Sequence, residues 1–196
     1  LTAVAHANLG TYQKDCAQYA EAHRNYEQAL QIRRKLYGEE HADTASTLFD
    51  LGVLSLAQGD YAAARKYYNQ SLAIRLKVRG EDHQQTALTL NSLGALEWQL
   101  ADYAAARPYH ERALKIQLKV LGREHRDTAQ TINNLATTLH LSGDYSGARS
   151  YYEQALAIRK QVLGESHPMV GASLNNLGAL LQEQGSFAAA HPYFEQ

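Results

Sequence analysis

Residues Tyr61 to Arg65 read YAAAR, and the same string returns at Tyr103 to Arg107, a step from 61 to 103 of 42 residues. So plain a string could recur by chance, but its surroundings recur with it. Tyr19, Tyr61, Tyr103, Tyr145 and Phe187 stand at that step, and three residues after each comes alanine: Ala22, Ala64, Ala106, Ala148 and Ala190. Tyr26, Tyr68, His110, Tyr152 and Phe194 keep the same register, as do Leu30, Leu72, Leu114 and Leu156, then Ile32, Ile74, Ile116 and Ile158, then Gly38, Gly80, Gly122 and Gly164. A repeat of about 20 to 50 residues is one supersecondary unit that cannot bury its apolar face alone, so its copies must stack into an array.

Each copy reads as two helices. Between Tyr61 and Arg79 the positions Tyr61, Ala64, Tyr68, Ser71, Leu72, Ile74 and Val78 fall mostly three or four apart, along one side of a helix. Asp60 before it is a natural N-cap, as are Asp102, Asp144 and Ser186 in their copies. Gly80 supplies the stop, and Arg75, Lys77 and Arg79 suit the negative end. The other helix of the pair buries Leu90, Leu93, Gly94 and Glu97, with Leu48, Leu51, Gly52 and Ser55, then Ile132, Leu135, Ala136 and Leu139, then Leu174, Leu177, Gly178 and Leu181 as equivalents. Glycine or alanine in that file lets two helices approach closely. This helix ends at Gly59, Gly143 or Gly185, with Ala101 the exception, and no strand pattern appears.

Nineteen basic and twenty acidic side chains leave a net charge of −1, which attracts neither nucleic acid nor an anionic membrane. No apolar run reaches the roughly 20 residues of a membrane span. Cys16 is the single cysteine, so no intrachain disulfide forms; it reads as a small buried or neutral thiol, suited to a reducing, cytoplasmic setting. The copies divide 1–196 into one array of repeats at 1–37, 43–79, 85–121, 127–163 and a truncated 169–196. Leu1 corresponds to Asp43 at a helix start and Gln196 to Gln154 within a helix, so a piece of a longer protein is expected.

The order Leu93-Gly94, then Asp102-Tyr103 and Ala106, then an aromatic followed three residues on by a small residue (Tyr68 and Ser71; Tyr152 and Ala155) resembles the tetratricopeptide repeat, whose usual period is about 34 residues. The added residues fall around LAIRLKVRGEDHQQTA and LAIRKQVLGESHPMVGA, and this longer unit is similar to the repeat of kinesin light chains. The likeness covers essentially the whole chain. Gln18 in place of the capping aspartate, His110 in place of an aromatic, and proline after the histidine only at Pro168 are departures. The resemblance implies an all-α, right-handed superhelical solenoid of stacked helix hairpins, about ten helices in all. It also implies a protein-interaction scaffold in which the first helix of each hairpin lines a concave groove and asparagines there hold a peptide, as in a kinesin-light-chain-like cargo adaptor.

The residues themselves allow that reading. Asn8, Asn91, Ser92, Asn133, Asn134, Asn175 and Asn176 fall on or beside the side of those first helices opposite the buried file, and the asparagine column among them is filled by Asn8, Asn134 and Asn176 and broken by Asp50 and Ser92. An asparagine offers two donors and an acceptor, so such a file can grip an extended backbone; the other reading has the amides stabilising loops. Arg33, Arg75 and Arg159 recur near the end of the second helix, with Gln117 interrupting, and serve either the helix dipole or an acidic peptide side chain. His41, His83, His125 and His167 belong to separate units, too far apart to share a metal, and read as helix-start residues. The tyrosine columns read as packing, and Trp98 as either a partner anchor or packing. No phosphate loop, metal-ligand helix motif or nucleophile elbow occurs, and an array repeats every candidate triplet, so neither an enzyme nor a cofactor is expected. Two functions follow: a scaffold for a protein or peptide ligand with acidic or aromatic side chains, or a structural spacer that self-associates through exposed terminal helices.

Overall fold

The structure, a computed structural model, describes residues 2–195; the expectations placed on Leu1 and Gln196 lie outside the described residues. Its helices are α1 (Ala3–Asp15), α2 (Tyr19–Tyr37), α3 (Ala42–Ala57), α4 (Tyr61–Arg79), α5 (Gln84–Gln99), α6 (Tyr103–Val120), α7 (Arg126–Leu141), α8 (Tyr145–Leu163), α9 (Pro168–Glu183) and α10 (Phe187–Phe194), with no strand among the described residues.

The helix ends follow from capping chemistry. Side-chain oxygens of Asp60, Asp102 and Asp144 accept the backbone N–H three residues on, at 2.9, 3.0 and 3.0 Å, pairing an amide that the first turn leaves open. Gln18 makes no such bond, and neither does Ser186, contrary to the cap expected there. Thr2 caps α1, and histidine caps α3, α5, α7 and α9: Nδ1 of His41, His83, His125 and His167 accepts the N–H of Asp43, Gln85, Asp127 and Met169, each at 3.1 Å. An accepting Nδ1 carries no proton, so each ring keeps its proton on Nε2. At the stops, Gly80 has φ 81° and ψ −180°, a backbone region that essentially only glycine enters. Thr44, Thr86 and Thr128 then donate their hydroxyls to the carbonyls of Gly38, Gly80 and Gly122, fastening each stop to the next helix.

The chain falls into two compact units, Leu1–Leu96 and Glu97–Gln196, divided within α5. In the first, α1 pairs with α2 and α3 with α4, and α2 packs on α3. Ala22, Tyr26, Leu30, Leu48, Leu51 and Leu54 form its core. Gly52 is needed there, because a Cβ would stand 2.6 Å from the ring of Tyr68. Ser71, fully buried, donates to the carbonyl of Ala45 at 2.8 Å and ties α4 to α3.

In the second unit α7 pairs with α8 and α9 with α10, while α6 packs on α7 and α8 on α9. Ile132, Leu135, Ala136, Leu139, Tyr152 and Leu177 are central to its core. Two packing expectations need correction. Tyr61 and Tyr145 open their helices at the edge and stay more than a third exposed, and Cys16, at the C-cap of α1, is exposed rather than buried.

Candidate functional site

The arginine column has a role that neither sequence reading named. Arg33 NH1 donates to the carbonyl of Asp43 at 2.9 Å and to the hydroxyl of Thr47 at 2.6 Å. Arg75 NH1 repeats this with Gln85 at 2.8 Å and Thr89 at 2.6 Å, and Arg159 NH1 with Met169 at 3.2 Å and Ser173 at 2.6 Å. Each guanidinium thus struts the end of one hairpin against the first helix of the next. Arg75 and Arg159 are each 3% exposed, so a ligand meets little of either. Burial lowers the pKa of both, that of Arg75 to about 10 against the opposing pull of Asp50, and both remain cations at neutral pH. Gln117 cannot span the same gap, and its Oε1 and the Oγ1 of Thr131 are buried without a partner.

Above the struts the two units differ. In the second, Arg159 also reaches the amides of α7. NH1 donates to Asn133 Oδ1 at 3.3 Å and NH2 to Gln130 Oε1 at 2.9 Å. Gln130 Nε2 donates to Asn134 Oδ1 at 2.8 Å, and Asn176 Nδ2, from α9, donates to Asn133 Oδ1 at 3.2 Å. Four expected residues, Asn133, Asn134, Asn176 and Arg159, therefore join in one network with Gln130. Its amides are half-buried, while Asn175 stands exposed outside it.

In the first unit the equivalent of Asn133 is Phe49, and Arg75 lies over its ring, 4.8 Å from the centroid. The equivalent of Asn134 is Asp50. Burial pushes its carboxyl up to about 6, although Arg33, Arg75 and Lys14 all pull the other way. Arg33 and Arg75 are thus gathered around one carboxylate. Asn8 is exposed on α1, and Asn91 and Ser92 are half-buried on α5.

Sequence reasoning did not find the receiving hydroxyls Thr47, Thr89 and Ser173, or Phe49 beneath Arg75. A signal for the first was present: Thr47, Thr89, Thr131 and Ser173 recur with the period, each 14 residues after the strut column. Phe49 breaks its column and carried no such signal.

Residues 1–77, 54–119, 85–161 and 127–196 match the tetratricopeptide repeat family. No curated protein matches the chain. Among solved structures, BtubC (BKLC) from P. vanneervenii is 24% identical with a TM-score of 0.88, over 95% of this chain and 74% of that one. A protein of Podosopora anserina assigned to the kinesin light chains, with nearly identical TPR-like repeats, is 24% identical with a TM-score of 0.85, over 98% and 91%. A Rap protein complexed with competence and sporulation factor is 16% identical with a TM-score of 0.77, over 97% of this chain and 51% of that one. At these identities the likeness speaks for the fold alone.

Proposed function

The chain belongs to the tetratricopeptide repeat family, and on that premise we propose that it is a non-catalytic, cytoplasmic interaction scaffold. It holds an extended segment of a partner protein against the first helices of its hairpins, as a kinesin-light-chain-like adaptor would. The observation that carries this reading is the connected set of half-buried amides on α7 and α9, which bond one another and a buried arginine instead of serving a loop. An extended backbone offers one donor and one acceptor per residue, and primary amides answer both. The exposed Asn175 extends the surface in this unit, and Asn8, Asn91 and Ser92 carry it in the other.

Acidic and aromatic side chains are the favoured additions. Lys14 is paired with Asp15 at 2.9 Å, which leaves Arg33 and Arg75 against the single carboxylate of Asp50 on the first unit's face and a net positive field, and the Phe49 ring offers an apolar contact beside it. A protein of similar fold, the Rap protein, is complexed with competence and sporulation factor, which supports a ligand-binding reading.

The test is an array of terminally capped, randomised decapeptides probed with the whole chain, with its mass in solution read by light scattering. A retained subset rich in acidic and aromatic residues is expected. Asn134→Ala and Asn176→Ala should each weaken retention by roughly two- to tenfold, as expected for a net hydrogen bond, and added salt should weaken the acidic peptides most. An array that retains nothing, or retention indifferent to both substitutions with helicity intact, overturns the reading. A concentration-dependent oligomer in place of peptide binding points to the self-associating spacer.

A further inference from the structure

The geometry points to Arg159 as a positioning residue: through Gln130 and Asn133 it dictates which amide atoms face outward, so that the face between α7 and α9 takes a ligand acceptor at Asn133 and a ligand donor at Asn176. The inference rests on the peptide-binding reading above and gives that surface a direction.

An arginine has no acceptor, so any amide atom facing it must be oxygen. This settles two orientations at once. Gln130 turns Oε1 to NH2 of Arg159 at 2.9 Å, and Asn133 turns Oδ1 to NH1 at 3.3 Å. The consequence then spreads by exclusion. With its oxygen turned inward, Asn133 has its NH2 on the outer side. Asn176 must bring a donor to that inward oxygen, which it does through Nδ2 at 3.2 Å, and its own Oδ1 is left on the outer side. A free asparagine can flip its amide to suit either partner; these two cannot without facing like atoms together. Arg159 itself is 3% exposed and spends NH1 on the strut as well, so it acts through the amides and not on the ligand. The ligand that fits is a secondary amide of the peptide backbone, C=O toward α7 and N–H toward α9. The first unit has no equivalent, since Arg75 faces the ring of Phe49 where Arg159 faces Asn133.

Isosteric carboxylates separate this from a merely structural network. Asn133→Asp keeps an oxygen toward Arg159 and replaces the outward donor with an acceptor. It should leave the melting temperature unchanged or raised, yet reduce decapeptide retention on the second unit's face by more than about tenfold, because two acceptors then oppose each other. Asn176→Asp keeps the outward acceptor but removes the inward donor, so it should lower the melting temperature. Side-chain amide NMR of the whole chain gives a reading that needs no peptide. Both Asn133 amide protons should exchange readily with water, one Asn176 proton should be protected, and Arg159→Lys, which keeps the charge but loses the fork, should shift the Gln130 and Asn133 resonances.

Retention unaffected by Asn133→Asp overturns the inference and leaves the scaffold standing. An array that retains nothing removes the scaffold, and the amide spectra then decide alone whether Arg159 sets the orientation. Protected Asn133 amide protons, or resonances indifferent to Arg159→Lys, overturn it in either case.

Discussion

Ala101 holds φ at 58°, where the equivalent Gly59, Gly143 and Gly185 hold 76°, 88° and 73°. An L side chain in that region costs about 1–2 kcal/mol, more than the roughly 0.4–1 kcal/mol by which glycine loosens the unfolded chain. Ala101→Gly should therefore stabilise the protein by about 0.5–1 kcal/mol in chemical denaturation, as should Ala17→Gly at the same station of the first copy. The Ala101 exception is visible in the repeat, and Ala17, one period before Gly59, shares it with φ at 58°. His110 shows a different limit. Its place in an aromatic column is plain from the sequence, but only burial reveals that its pKa falls from 6.5 to about 4. Between those values the unfolded chain binds a proton that the folded chain refuses, so stability is full above pH 6.5 and is lost as pH falls toward 4. The loss approaches about 3 kcal/mol. His110→Phe, which restores the ring of the column, should flatten that part of the stability profile relative to the parent chain.

At the scale of helices, the struts show what a period can and cannot reveal. Recurrence exposed the arginine column, and general helix chemistry supplied the dipole as an explanation. The actual partner lies 14 residues on, across a turn, and becomes adjacent only when hairpins stack. The junction of α6 with α7 supplies the control, since Gln117 leaves Thr131 Oγ1 without a partner. Gln117→Arg should place a donor on that hydroxyl. The charge-assisted bond is worth about 1.5–3 kcal/mol, part of it offset by burying a cation, for a net gain of about 1 kcal/mol. Calorimetry would show it as a higher melting temperature, and an unchanged or lower one would mean that the surrounding packing cannot admit the longer side chain.

For the whole molecule, the helix hairpins, their stops and their buried files were legible because each depends on near neighbours in sequence and recurs four or five times. The division into two units was not, because a 42-residue period treats every copy alike. The contrasting faces were only half legible: Asp50 was seen to interrupt the amide file, but its grouping with Arg33 and Arg75 needs three helices in place. Stability in a repeat array is close to a sum of local terms, so damage should remain local. Tyr68→Ala removes a fully buried ring and should cost roughly 3–5 kcal/mol, with amide hydrogen exchange accelerating most in α3 and α4. Uniform acceleration along the chain would show a more cooperative molecule than this.

The missing strut has a mechanical consequence. Pulled from its two ends, an array bears the same tension at every hairpin junction, and the least braced one sets the yield point. Arg33, Arg75 and Arg159 brace their junctions, whereas that between α6 and α7 has a glutamine whose carbonyl oxygen touches no donor. In an optical trap Gln117→Arg should move the parting of that junction to higher force, bringing the one link without a guanidinium strut into line with the rest.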